Sequence, residues 1–243
     1  MKVYDAYRLA VETGMAHDFR PKKEIKRILE EAKAQYESMP EKDRWMFDEE
    51  RLWNPYADTR FCCCTEQAKR QEAERLLWGI DISAAEILEA DRLREKGERV
   101  DAVVSHHPRG RSRNIFPEVI RMQTYLFSSY GVPITVAEAL AEERVSQVLT
   151  DVMGSNFNSA PEAAKRFGFP MFNVHAPADN MVQEYMSKLM EKGKPRTIGD
   201  ITDLLMEVPE FQLATRLNDP PRPVVGNRKS LCGNVAVKMS GGT

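Results

Sequence analysis

Residues 99–108 read RVDAVVSHHP, a run of small and β-branched apolar residues that stops at two adjacent histidines and a proline. Val100, Ala102, Val103 and Val104 form a nearly continuous apolar segment. That is the pattern of a strand covered on both faces of its sheet, not of a strand with one solvated side. Upstream, RLLWGIDI (75–82) reads as another strand. Ser83 followed by Glu86 is the signature of a capping box, which opens a helix running to about Glu95. Gly97 then releases the chain into the first stretch. Strand, helix and strand in this order make a βαβ unit, so the fold class is α/β.

Working outward, Pro21 opens a helix to about Met39 with Ile25, Ile28, Leu29, Ala32 and Tyr36 at helical spacing, and Tyr4–Glu12 is also helical. Residues 1–60 are therefore a helical N-terminal extension. A first α/β lobe with the HHP motif is expected over 61–130, and further helices with a second lobe over 131–243. In that second part Pro117 starts a helix, Gly131–Ile134 is a short extended piece, and Thr135 with Glu138 caps a helix to about Met153. After the turn GSNFNSAPE (154–162) a short helix ends at Gly168. FPMFNVHAPADN (169–180) is a strand that again finishes in histidine and carboxylate, with helices expected at Met181–Lys192 and Ile201–Met206. The second of these is capped by Thr197 or Asp200. NDPPRPVVGNRKS (218–230) is turn-like, and VAVKMSGG (235–242) reads as a final strand entering a glycine turn.

The chain has 243 residues, enough for a real core without disulfide or metal staples. Lys plus Arg is 35 and Asp plus Glu is 37, a net charge of -2, which lacks the basic excess of a protein that reads nucleic-acid backbone. Cys62, Cys63, Cys64 and Cys232 match neither a zinc knuckle nor a secreted disulfide framework. No stretch approaches the ~20 apolar residues of a membrane span, and Asp5 and Glu12 interrupt any signal-peptide core. These features are those expected of a cytoplasmic protein.

The chemistry lies at strand ends, where open α/β sheets bind their ligands. His106 and His107 follow one strand directly. His175 and Asp179 follow another, separated by APA. Neighbouring strands lie ~4.8 Å apart, so both ends can deliver these four groups around one crevice. A nitrogen and oxygen set of this kind suits Zn, Mn, Fe, Co or Ni. The blander possibility is that His175 bonds locally and Asp179 caps the following helix. Asp81, ending its strand, either holds a ligand imidazole or precedes the Ser83 cap. Asp101 reads as a solvated edge charge and His17 as solvated. Arg109, Arg111 and Arg113 form either a charged loop or a seat for a phosphorylated substrate.

These motifs, VDAVVSHHP, NVHAPAD and VAVKMSGG, resemble those of the NGG-interacting-factor-three-like family, whose members are often described as GTP cyclohydrolase I type 2 homologues. The resemblance covers roughly residues 70–243. It implies two related α/β lobes with a dinuclear metal site between them, and often a toroidal hexamer. On that resemblance His106, His107 and Asp179 are metal ligands, with Asp179 closing an HxxxD motif that reads HAPAD here. The family completes its metal pair with a His and an acidic residue beyond the SGG turn, so further ligands are expected past residue 243 or from a partner. The implied cofactor is two divalent transition-metal ions. The implied activity is hydrolysis of a small substrate, nucleotide or phosphorylated, with His175 in a proton-transfer role. For a purine the candidate aromatics are Trp78, Phe116 and Phe172. The competing expectation is a metal-stabilised assembly or interaction module without turnover.

Overall fold

Strand β1 (Leu76–Gly79) runs parallel to β2 (Ala102–Ser105), and β2 runs parallel to β3 (Met171–Asn173). The computed structural model describes residues 1–62 and 66–239. Among these the three strands form one sheet in the order β1-β2-β3. Register places Trp78 beside Val104 and Val104 beside Phe172. Every residue of β2 is buried, as its continuous apolar run requires.

Eleven α-helices follow one another in chain order among the described residues. They are α1 (Val3–Ala16), α2 (Lys22–Ser38), α3 (Glu66–Arg70), α4 (Ala84–Glu95), α5 (Arg111–Ile115), α6 (Met122–Ser129), α7 (Ile134–Val152), α8 (Ser159–Phe167), α9 (Ala176–Gly193), α10 (Ile198–Leu205) and α11 (Pro209–Arg216). The mixture of helix and parallel sheet is an α/β fold. None of these helices is long and apolar enough to cross a membrane.

The chain divides into two compact units, Met1–Met181 and Val182–Gly242. In the first, strand alternation splits the core between the two sheet faces. Val104 and Phe172 join Val3, Tyr7, Val11, Tyr56 and Phe61 on one face, so α1 and the segment after α2 cover the sheet there. Tyr7 meets Phe61 edge-on and Phe172 at a tilt, with ring centroids 5.8 and 5.6 Å apart. Val103 and Met171 join Ile82, Ile87, Ala90, Ala163, Ala164 and Phe169 on the opposite face, under α4 and α8. Each fully buried large apolar side chain contributes about 1.5–3 kcal/mol. In the second unit, α10 opens on a capping box of Thr197 and Asp200, and Thr197 bridges to Leu231.

The βαβ unit is as the residues dictate, including the Ser83 and Glu86 capping box. Four local expectations differ. Pro117 lies in a 3-10 turn (Phe116–Arg121), with α6 following it. Gly131–Ile134 is a turn, not an extended piece; Gly131 adopts φ +92° and Pro133 leads directly into α7. Val235–Met239 is irregular and forms no strand of the described sheet. The glycine turn expected after it, 240–243, lies outside the described residues. Helix α9 begins at Ala176, five residues before the expected start. Pro177 is suited to a helix's first turn, where a missing N–H costs nothing.

Candidate metal centre

The early start of α9 positions the site. His175 ends the segment after β3, and its carbonyl accepts from the Asp179 N–H at 3.1 Å. Residues 175 and 179 therefore stand one helical turn apart, and what reads as a loop in HAPAD is the first turn of a helix. His106 and His107 are fixed from β1, since their N–H groups donate to the carbonyls of Gly79 and Ile80, each at 2.8 Å. That pairing carries β2 past its formal end and turns both imidazoles towards one crevice.

His106, His107 and His175 form a cluster in which one nitrogen from each ring lies within 4.8 Å of the others. The ring centroids of His106 and His175 are 4.7 Å apart, and those of His106 and His107 are 5.3 Å apart. Each Nδ1 is already engaged. That of His106 donates to the Val174 carbonyl at 3.0 Å, that of His107 pairs with Asp81 Oδ1 at 3.0 Å, and that of His175 pairs with Asp58 Oδ2 at 2.6 Å. An Nδ1 facing an oxygen of this kind carries the proton, which leaves Nε2 of each ring with its lone pair. Oxygen partners behind the ring, with Nε2 turned to the site, are the arrangement that orients metal-bound histidines. The donor set therefore fits a divalent transition metal, and these three histidines are a candidate metal site.

Asp179 lies against the same cluster and presents one oxygen to each neighbour. Oδ1 is 3.5 Å from His106 Nε2 and Oδ2 is 3.9 Å from His175 Nε2. Burial pushes the Asp179 carboxyl above the usual range, against the opposing pull of His175 and His106. The imidazoles diverge. Burial, aided by the charge of His175, lowers the pKa of His106. Burial also disfavours charge on His175, but the charge and hydrogen bond of Asp58, with Asp179, outweigh it and raise its pKa.

Asp58 is the site residue that sequence reasoning missed. It is fully buried, and besides His175 it accepts from the Ala176 N–H and the Thr59 hydroxyl. It lies in a loop, NPYADTR, with no periodicity or motif, 117 positions from its partner. No local signal could have found it.

Other candidates are distributed as follows. Asp81 bonds the His107 ring, one of the two roles open to it, and also receives Arg109 at 2.6 Å. Arg111 pairs with Asp48 and Glu50. Two of the three loop arginines are thus occupied by carboxylates of the protein itself. Phe172 is a core residue, and Trp78 is half exposed on β1. Asp101 is buried instead of solvated, since the backbone N–H groups of Glu74 and Arg75 and the Arg99 guanidinium all need an acceptor there. The Cys62 thiol donates to Asn173 Oδ1 at 2.9 Å, while Cys63 and Cys64 lie outside the described residues. His17 caps the end of α1 and is not in the cluster. Cavities of about 410 Å³ beside α2 and about 540 Å³ between α1 and α2 do not include the histidines. The site is instead a crevice that opens through the 43 % exposed His107 side chain.

A solved NIF3 superfamily protein from Sphaerobacter thermophilus matches this structure with a TM-score of 0.56 and 29% identity, over 65% of this chain. The chain is thus similar to a NIF3 superfamily protein. The match spans 56% of the length of the Sphaerobacter thermophilus protein. No family model and no curated protein matches the sequence. In this NIF3-like chain the three histidines sit at the carboxyl ends of adjacent parallel strands, the ligand position of open α/β sheets.

Proposed function

We propose that this chain is a metal-dependent hydrolase of a small substrate, with His106, His107 and Asp179 as metal ligands and His175 as the proton-transfer group. The observation that carries the reading is the common orientation of the His106 and His107 imidazoles, each held at Nδ1 by an oxygen and open at Nε2, with Asp179 Oδ1 3.5 Å from His106 Nε2. A divalent ion bound there would supply Lewis-acid polarisation and acidify water at the site. Ligand histidines must be neutral, which suits His106 with its lowered pKa. His175 has the opposite bias, because Asp58 favours the protonated ring, and it is suited to holding and releasing a proton. Asp179, with Oδ1 towards His106 and Oδ2 towards His175, would hold the metal together with His106 and His107, and the family resemblance implies two ions.

The test is metal content and turnover together. Purified chain is expected to carry Zn, Mn, Fe, Co or Ni and to hydrolyse a substrate in a screen that includes GTP and simple phosphoesters. His107→Ala loses both metal and turnover. His175→Ala keeps the metal and loses turnover. Absence of metal from the native chain refutes the proposal, and loss of metal from His175→Ala reassigns that residue as a ligand. Metal binding with no turnover on any substrate supports the second reading, a metal-stabilised interaction module. The exposed apolar side chains of Leu76 and Trp78 on β1 and of Ile80 just after it favour that reading.

A further inference from the structure

The turn that carries His175 and Asp179 is held from the N-terminal extension. The His175 N–H donates to Thr59 Oγ1 at 3.1 Å and the Ala176 N–H to Asp58 Oδ2 at 3.2 Å, so backbone donors at the start of α9 find acceptors in that loop. Asn180 follows Asp179 directly and is buried. A side-chain amide has two hydrogens to give, and Asn180 Nδ2 donates to the Gly14 carbonyl of α1 at 3.3 Å and to the Tyr56 hydroxyl at 3.2 Å. The Tyr56 hydroxyl donates in turn to Asp18 Oδ2 at 2.8 Å, and Arg20 grips both oxygens of Asp18 at 3.0 and 2.8 Å. The Tyr56 ring and the side chains of Asp18 and Arg20 are all buried.

Asp179 needs such a hold. Its Oδ1 stands 3.5 Å from His106 Nε2, and with the proton on Nδ1 both atoms are acceptors, so the contact supplies no hydrogen bond of its own. Two ligand atoms on one tetrahedral ion with bonds of ~2.1 Å stand ~3.4 Å apart. The protein thus keeps the carboxylate and the imidazole at a ligating separation. Successive side chains of a helix point ~100° apart. An Asn180 fixed at two points therefore sets the direction in which Asp179 leaves α9. Gly14, Asp18, Arg20 and Tyr56, which do the fixing, all belong to the extension.

We infer that Tyr56 and Asn180 are positioning residues for the carboxylate of Asp179, which makes the N-terminal extension a working part of the metal centre. Neither residue is a ligand; each acts through the first turn of α9. The inference rests on the metal-binding reading above and not on turnover.

The test is the zinc affinity of the metal-stripped full chain, measured in competition with a chromophoric chelator. The visible spectrum of the chain loaded with cobalt(II) reports ligand geometry alongside it. Tyr56→Phe keeps the ring in the core and removes only the hydroxyl. It is expected to weaken zinc binding about tenfold, the scale on which partners behind metal ligands act, and to alter the cobalt spectrum. Asn180→Ala weakens binding further, and adding Tyr56→Phe to it changes nothing more, because both act through one hydrogen bond. Ile87→Val trims the core on the opposite face of the sheet; it lowers stability and keeps the wild-type affinity. A wild-type chain that binds no zinc overturns the metal-binding reading, and this inference with it. Where the wild type binds, unchanged affinity or an unaltered cobalt spectrum in Tyr56→Phe, additive losses in the double variant, or an equal loss in Ile87→Val overturns this inference alone.

Discussion

Replacing Asp58 by asparagine tests whether a buried carboxylate holds the proton on His175. In the folded chain burial disfavours the charged ring, yet Asp58, with Asp179 behind it, lifts the pKa of His175 above the ordinary 6.5. Asparagine keeps the size and removes the charge. A hydrogen bond to a charged group contributes about 1.5–3 kcal/mol and a neutral one about 0.5–1.5. The difference, about 1–1.5 kcal/mol, corresponds to about one pKa unit. With Asp179 alone opposing burial, the His175 pKa is expected to fall by about that much. Histidine ring resonances followed by NMR through a pH titration, in metal-free protein, read the shift directly. Stability follows with a definite sign. A histidine whose pKa is raised by folding contributes fully below its unfolded value of about 6.5, and loses that contribution as pH rises through the folded value. Asp58→Asn therefore costs most below about pH 6, and its urea midpoint approaches that of the wild type in alkali. A His175 that titrates in Asp58→Asn at or above its wild-type value refutes the coupling, as does a stability gap that widens with pH.

Three further substitutions probe the frame around the site. A Cβ added at Gly14 of α1 would stand 2.4 Å from Pro177 Cβ, so Gly14→Ala must displace the first turn of α9, at a cost of about 1–3 kcal/mol. Thermal unfolding measures that cost, and metal affinity should fall with it because Pro177 lies between His175 and Asp179; unchanged affinity would detach the site from the α1 contact. For Asp101, burial alone would raise the pKa, but hydrogen bonds from Arg99 and from the Arg75 and Glu74 N–H groups outweigh it and hold the pKa below the usual range. A carboxyl depressed in this way stabilises above its unfolded value, about 3.9, and that stability is lost as pH falls through the folded value. Asp101→Asn should thus be less stable than the wild type near neutrality, with the gap closing in acid; equal urea midpoints at neutral pH would contradict the role given to Asp101. Ser83→Ala removes the capping box of α4 and should cost about 0.5–2 kcal/mol in chemical denaturation, whereas Ser83→Gly should cost only a few tenths.

Much of this protein is written locally. The β1-α4-β2 unit follows from an apolar run between a capping box and a histidine pair, because helix caps and buried parallel strands are set by neighbouring residues alone. The convergence of His106, His107 and His175 was legible for the same reason: parallel strands place their carboxyl ends side by side and the three rings follow such ends, whereas Asp179 joins them from the first turn of α9. Tertiary structure decided what lies behind those groups. Asp58 reaches His175 across 117 positions, Asp101 is buried because two distant backbone amides need an acceptor, and Val235–Met239 joins no strand of the described sheet. A residue's propensity travels with it in the chain, but a hydrogen bond has two ends, and the position of the second end is known only once the chain has folded.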